Sequence, residues 1–548
     1  MRMKLFAIHK AFPMRRGFLL LAIIFSLSMV FAACTNSSAP ALPQTAVPSP
    51  SSSAQTITLT VGLATDTIIT LDPAAYSDRA TETVIRNIFD GLVTRTVDNE
   101  IVPELAQQYR WIDDETVEFT LKQNVQFHNG DVFTAQDVVF TFDRLLNQEV
   151  GAPRRVFVQG IEQVEAIDEY TVRFHLHESW PVFLQALVHT QIVPQAYLRE
   201  VGAARFAQNP IGTGPYQFVS GELNDEIVLV RFADYYGGAD ALPPLSPPLL
   251  DYVVFRMMPD TTARLQALTA EDLQIIQDVP SGSVPQLLNN PNVIIKTTIG
   301  TRPKILDFNI TQPPFNDVRV RQAISYAIDA DALLQEVAGG YGILMAGPLS
   351  PANQYVDHTL PLPEYDLQKA QILLSEAGYT PEEIIFTLDT LQSNVLLAER
   401  IAAQLNELGM QVEVAVWQMD QLRPLLLSCQ RQAFIHDWGD SIFDPVGYIE
   451  AKWQTQQPGT SAGRGNYACY SNPDVDELIT SGAVVSDPEQ RHEIYNEAQR
   501  LISEDVPSLF LYVPQEIEAS SSQVRNWQPS PDNRINLHDV WLAGLNSN

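Results

Sequence analysis

The chain has 548 residues, too many for one simple core, so two or three lobes are expected. Hydrophobic residues make up 45% and aromatic residues 9%, which excludes global disorder. A net charge of −31, from 34 basic against 65 acidic residues, excludes nucleic acid as a partner, because that binding needs a basic footprint.

The N-terminus reads as an export signal. MRMKLFAIHKAFPMRR carries five basic residues (Arg2, Lys4, Lys10, Arg15, Arg16) and no acid, and GFLLLAIIFSLSMVFAA follows as an apolar run. A basic stretch, an apolar stretch and small residues before a cut describe a processed leader, not a structural helix. Arg15-Arg16-Gly17-Phe18-Leu19 also fits the bare core of a twin-arginine signal. Phe31-Ala32-Ala33-Cys34 looks like a lipobox, with Phe31 where bacterial lipoproteins usually carry Leu, and implies acylation of Cys34. The alternative is a simple signal peptide with an incidental cysteine. Residues 35–54, TNSSAPALPQTAVPSPSSSA, are uncharged and Ser/Pro/Ala-rich, the composition of a tether. Cleavage after Ala33 removes five positive charges and takes the net charge from −31 to −36. No other stretch is long and apolar enough to span a bilayer, so the expectation is an exported, lipid-anchored chain. With Cys34 acylated, Cys429 and Cys469 are the remaining thiols. In an oxidising compartment they either bridge or sit apart as small buried hydrophobes.

From residue 56 the chain keeps switching between periods of two and of 3.6. TITLTVGL alternates as a strand, and SDRATETVIRNIFDGLV reads as a helix stopped by Gly91. ETVEFTLKQNVQFHNGD reads as hairpin strands with Asn129-Gly130 as a turn. TAQDVVFTFDRLLN is a helix capped at Thr134, and YTVRFHLHE returns to strand. IGTGPYQFVSG, EIVLVRF and LDYVVFRMM are strands, and TTARLQALTAEDL is a helix. Helices follow at VRVRQAISYAI, LQKAQILLSEAG, NVLLAERIAAQLNELG and PEQRHEIYNEAQRLISE, with the strands QVEVAVW and SLFLYV among them. Without a strict βαβ rhythm or an internal repeat, this is a mixed, multi-lobe α/β protein.

Seven motifs carry a resemblance. In order they are LDPA (71–74), NIFDGLV (87–93), FHNGDVFTAQDVVFTFDR (127–144), IGTGPYQF (211–218), FNITQPPFNDVRVRQAISYAID (308–329), WGDSIFDP (438–445) and YSNPDVDELI (470–479). Together they resemble the extracytoplasmic solute-binding proteins of ABC importers, family 5, the peptide, nickel and opine group. The resemblance implies an α/β, two-lobe, periplasmic-binding-protein-like clamp with three domains. Domain I is discontinuous (55–90, 205–300 and 518–548), domain II is 91–204, and domain III, the second lobe, is 301–517. Hinge crossings fall near Thr301–Asp307 and Gln515–Ala519. The implied partners are an ABC permease and ATPase and a peptide or similar small solute. The chain is expected to be a monomer, with no cofactor and no metal. One departure is local: the family's Leu-x-x-Gly-Glu-x-Asp helix end is here Leu268-Thr269-Ala270-Glu271-Asp272-Leu273-Gln274, which puts a turn in doubt.

The site expectation centres on HDWGDSIFDP, residues 436–445. In the peptide-binding members, the carboxylate that pairs with the peptide's α-amino group sits three residues after the loop tryptophan. That position is Ser441 here, with Asp440 one residue earlier. A cleft carboxylate implies a cationic or hydrogen-bond-donating ligand, whereas Ser441 alone implies a neutral one. Trp438 offers a flat apolar wall, Asp437 reads as solvated or capping, and Asp444 as a structural cap. Arg464, on a glycine-rich loop, is a candidate carboxylate clamp, and Asn309 a candidate ligand contact. Gly212 and Gly214 read as a tight turn, His128 as a turn residue, and Arg319 and Arg321 as structural.

An enzyme is the rival class, but HExxH, GxSxG and a P-loop are absent. The spacing of Asp437, Asp440 and Asp444 does not suit an EF-hand. His175 and His177 lack a third ligand at metal spacing. Within the binding class, a non-peptide solute (oligosaccharide, opine-like conjugate or nickel chelate) and a sensory receptor using the same clamp are the alternatives.

Overall fold

The computed structural model describes residues 56–544 apart from 243–247, Ser441 and Asp532; the leader, Cys34 and the 35–54 tether lie outside the described residues. Twelve strands form one sheet. Its path runs Gln411–Trp417, Ile385–Leu391, Ala433–Asp437, Lys304–Phe308, Ser508–Ser521, Ile275–Ile276, Thr58–Leu63, Tyr252–Met257, Glu226–Arg231, Tyr216–Gly221. The strand Ser508–Ser521 joins the two halves. Its beginning pairs with Lys304–Phe308 and its end with Val293–Ile299 and Ile275–Ile276, all antiparallel.

The apolar alternation of SLFLYV predicts a strand that ends before Pro514, yet the strand continues through it. Tyr512 faces Lys304 and Gln515 faces Ile299, so the missing N–H of Pro514 falls where the ladder changes partner. The Pro514 carbonyl still accepts from Gly300 N at 3.1 Å.

Three large apolar clusters sit on this frame. One gathers Leu59, Val61, Tyr216 and Phe255 with the late residues Trp527 and Leu537. A second fills the four-stranded antiparallel sheet of Ala106–Asp113, Thr116–Leu121, Thr171–Leu176 and Ile161–Asp168. In it, the helix Ala135–Leu146 sets Phe142 edge-on against Phe174 at 4.9 Å. That helix starts as predicted at Thr134, whose N–H is capped by Asp137 at 2.9 Å. These two clusters make the first lobe. The second lobe holds the third cluster, around Leu306, Phe308, Ile324, Leu388 and Leu405, and a neighbouring aromatic one around Trp453 and Tyr495. Among the described residues no helix is long and apolar enough to cross a membrane.

Several scaffold expectations acquire a physical cause, and one changes. Neither Gly212 nor Gly214 has a positive φ. They are glycine because a Cβ would stand 2.1 Å from Ile88 O and 2.6 Å from Ile88 C respectively. His128 locks the same loop: Nδ1 accepts from Gly212 N (3.3 Å) and Nε2 lies 2.9 Å from Gly214 O. Arg321 donates to the carbonyls of Val506 and Phe315, and Arg319 pairs with Asp317. In the doubtful turn Glu271 takes φ +67, a left-handed conformation that glycine adopts freely, at the position where the resemblance implies Gly.

Candidate functional site

The strand Ala433–Asp437 lies between Ile385–Leu391, which it follows in parallel, and Lys304–Phe308, which it opposes. The 436–445 loop leaves its end. Beneath the loop sits a buried polar anchor. Lys452 Nζ donates to Asp307 Oδ2 (2.7 Å) and to Gly465 O (2.9 Å), His436 Nε2 lies 2.8 Å from Asp307 Oδ2, and Ser508 donates to Asp307 Oδ1 (2.7 Å). Burial alone would raise the Asp307 carboxyl, but Lys452 and His436 hold it well below its usual value. Every member is matched, so the anchor is rigid.

The three carboxylates of the loop separate cleanly by partner. Asp437 is ion-paired with Arg302 Nε (3.0 Å) and Lys304 Nζ (3.2 Å), which corrects the solvated-or-capping reading. Burial pushes its carboxyl up, yet these two cations bring it down to about 2. Asp444 is fully buried in a two-point pair with Arg491, at 2.8 and 2.9 Å, and accepts Val446 N. Asp440 differs. It is 7% exposed and takes only neutral donors: Phe443 N (2.8 Å), Ile442 N (3.2 Å) and Asn353 Nδ2 (3.1 Å). Among the described residues it has no ion pair. Burial, then the nearby Asp444 charge, pushes its carboxyl up to about 7.

Trp438 is half-buried and meets Tyr467 edge-on at 6.2 Å. Gly465 allows this, because a Cβ there would stand 2.5 Å from the indole. The exposed Arg464 places its guanidinium carbon 5.3 Å from the indole centroid, within cation–π range. Cys429 and Cys469 form a disulfide, which ties the loop of Arg464 and Tyr467 to the end of the helix Met419–Leu427. Asn309 does not join the site. Its amide donates to the carbonyls of Cys429 (2.9 Å) and Arg431 (2.8 Å), and its oxygen accepts from Thr311. No donor remains for a ligand, so the expectation gives way to a scaffold role. Ser441 and Cys34 lie outside the described residues.

Sequence reasoning missed the other lobe's contribution. Arg95, from the strand Val93–Arg95, lies 4.5 Å over the ring of Phe443 and reaches Ile442 O at 3.4 Å. Ser179 and Ser486 bring their hydroxyls to 2.9 Å across the same gap. Between the lobes opens a cavity of about 750 Å³, lined on one side by His177, Glu178 and Trp180 and on the other by Val446, Glu450 and Thr480. A second cavity of about 370 Å³, at Tyr326, Leu362 and Phe510, lies within the second lobe; neither cavity is lined by a residue of the 436–445 loop, although Val446, which borders the first, follows it directly.

The family model for bacterial extracellular solute-binding proteins, family 5 Middle, matches residues 100–460. The glutathione-binding protein GsiB of Pectobacterium atrosepticum is 28% identical over 91% of this chain and 96% of its own length. GsiB of Salmonella typhi is 27% identical over 90% of this chain and 96% of its own. Among solved structures, the periplasmic binding protein DppA of Helicobacter pylori, in complex with the peptide STSA, has a TM-score of 0.73 at 26% identity. The match covers 88% of this chain and 98% of DppA. The oligopeptide-binding protein AppA of Bacillus subtilis, in complex with a nonapeptide, has 0.71 at 25%, covering 89% of this chain and 99% of AppA. The architecture is the mixed α/β clamp of periplasmic binding proteins.

Proposed function

Because the chain belongs to the bacterial extracellular solute-binding proteins of family 5, we propose that its cleft captures a peptide-like solute whose ammonium group pairs with Asp440. The observation that carries this reading is the sorting of the loop carboxylates. Asp437 and Asp444 have their cations in contact, whereas Asp440 accepts hydrogen bonds from neutral donors only, with the charge of Arg95 nearby but not paired to it. An incoming ammonium supplies a cation in direct contact and favours the ionised carboxylate. In this reading Trp438 and Arg464, paired at 5.3 Å, form an adjoining wall whose guanidinium would take a ligand carboxylate. The names of relatives support the class, since glutathione and short peptides both carry a free amino group and a carboxylate.

In this reading Cys34 carries the lipid anchor, and the monomeric, loaded clamp delivers its solute to an ABC permease and ATPase. Domain I is 55–90, 205–300 and 518–548, domain II is 91–204, and domain III is 301–517. The lobes close about Thr301–Asp307 and Gln515–Ala519, the latter within the strand Ser508–Ser521. Calorimetric titration with Ser-Thr-Ser-Ala, glutathione and their N-acetylated forms tests the ligand class. Binding of a free-amine form and loss of binding on acetylation are expected. Equal binding of free and acetylated forms would exclude the ammonium role for Asp440.

A further inference from the structure

Away from the loop, in the first lobe, three distant segments bring acid and imidazole groups together. Asp90, Glu104 and His538 present ligand atoms that all lie within 4.8 Å of one another. Glu104 is held in place by Gly91 N, which donates to its Oε2 at 2.8 Å. Asp90 is the unusual member: it is 1% exposed, and neither carboxylate oxygen has a hydrogen-bond partner. The hydroxyls of Thr213 and Tyr236 stand beside it, yet neither makes a hydrogen bond of acceptable geometry. The nearest lysine does not answer it either, because Lys122 Nζ is committed to Gly238 O and Asp240 Oδ1, both at 2.6 Å. His538 makes only long contacts, 3.3 Å from Nδ1 to Tyr235 Oη and 3.5 Å from Nε2 to Arg86 O.

A buried carboxylate whose neighbouring hydroxyls make no hydrogen bond of good geometry is costly unless it is neutralised by a proton or a cation. The donor set favours a cation of a particular kind. Two carboxylates and an imidazole match Zn²⁺, which takes His nitrogen and carboxylate oxygen at about 2.0–2.2 Å. They are too few for Ca²⁺, which takes about six to eight oxygens. A small space of about 20 Å³ beside Glu104 and His538, bordered also by Arg86, Gly91 and Asn536, has room for about one water next to these two ligands. We propose that Asp90, Glu104 and His538 bind one divalent transition cation of the Zn²⁺ class, which staples the C-terminal segment to the 90–104 region. The site is separate from the ligand cleft and does not depend on what the cleft takes.

The test uses the full-length protein stripped with a chelator, titrated with Zn²⁺, and followed by calorimetry and thermal melting. One equivalent per chain and a rise in Tm are expected, with neither seen for Mg²⁺. In Asp90→Asn the metal-free protein should melt no lower than wild type, because a buried charge is removed. Its Zn²⁺ affinity should fall more than about 100-fold, beyond the loss typical of a residue that only orients a ligand. His538→Ala, nearer the surface, should lose the Zn²⁺-dependent rise in Tm as well. Absence of stoichiometric binding, or unchanged binding in both variants, would overturn the proposal.

Discussion

Titrating ligand affinity against pH puts the role of Asp440 under direct test. Its carboxyl is raised from 3.8 to about 7 by burial and the Asp444 charge. A cationic ligand needs the ionised form. Well below pH 7, each unit therefore weakens binding by a factor that approaches about tenfold, or about 1.4 kcal/mol. Between pH 7 and pH 5 the ionised fraction falls from about one half to about one hundredth, so the affinity for a free-amine peptide should fall by about 50-fold, or about 2.3 kcal/mol. The unliganded fold responds in the opposite sense. A carboxyl raised on folding adds stability below its unfolded pKa, and that stability is lost as pH rises through the folded value, here from about 4 to about 7. Asp440→Asn should remove the pH dependence of binding and cost about 2–5 kcal/mol of affinity at pH 8. Asn still offers an oxygen to Phe443 N and Ile442 N, so the loop should keep its path. Calorimetric titration of both proteins at pH 5, 6, 7 and 8 reads the effect. An affinity flat from pH 5 to 8 in the wild type, or a variant that binds as tightly, would refute the reasoning.

Three structural predictions accompany it. Cys429→Ser or reduction opens a loop of 40 residues and should cost about 4 kcal/mol in urea unfolding. Asp444→Ala leaves Arg491 buried without its two-point partner and should cost about 3–5 kcal/mol, read the same way. Glu518 is fully buried with neither oxygen hydrogen-bonded, and burial, then Glu516 and Asp278, raises its carboxyl well above its usual value. Its contribution to stability is present below about pH 4.3 and is lost as pH rises through the folded pKa. Glu518→Gln should flatten that decline, seen as a smaller fall in Tm between pH 5 and pH 9, and an unchanged slope would contradict it.

The elements with a clear period were legible in the sequence. NVLLAERIAAQLNELG and PEQRHEIYNEAQRLISE became Val395–Glu407 and Pro488–Asp505, because apolar spacing and the burial of one face are the same information. The family motifs pointed to the 436–445 loop as the candidate site. The partners of its three acids were not legible, since they come from far along the chain. Arg302 stands 135 residues from Asp437, Asn353 87 from Asp440, and Arg491 47 from Asp444. Asn309 misled for the same reason. The carbonyls that hold it belong to Cys429 and Arg431, 120 and 122 residues away. The glycines of GTGPY misled differently, since sequence suggests a turn while the structure shows a close approach to the Ile88 backbone.

Asp440 also connects the ligand position to the contact between the lobes. Phe443 sits at φ +57, a left-handed conformation that costs a non-glycine residue about 1–2 kcal/mol. The Asp440 carboxylate holds it there by accepting its N–H at 2.8 Å. The same Phe443 ring receives Arg95 from the opposite lobe. A cation–π contact is worth about 0.5–2 kcal/mol, and a hydroxyl pair such as Ser179 with Ser486 about 0.5–1.5. Swinging a two-state clamp from 1% to 99% closed takes about 5.5 kcal/mol of differential binding, more than these two contacts supply. In the proposed reading the ligand's ammonium makes up the difference. By keeping Asp440 ionised it strengthens the acceptor that fixes Phe443, and the fixed ring is the surface on which Arg95 closes.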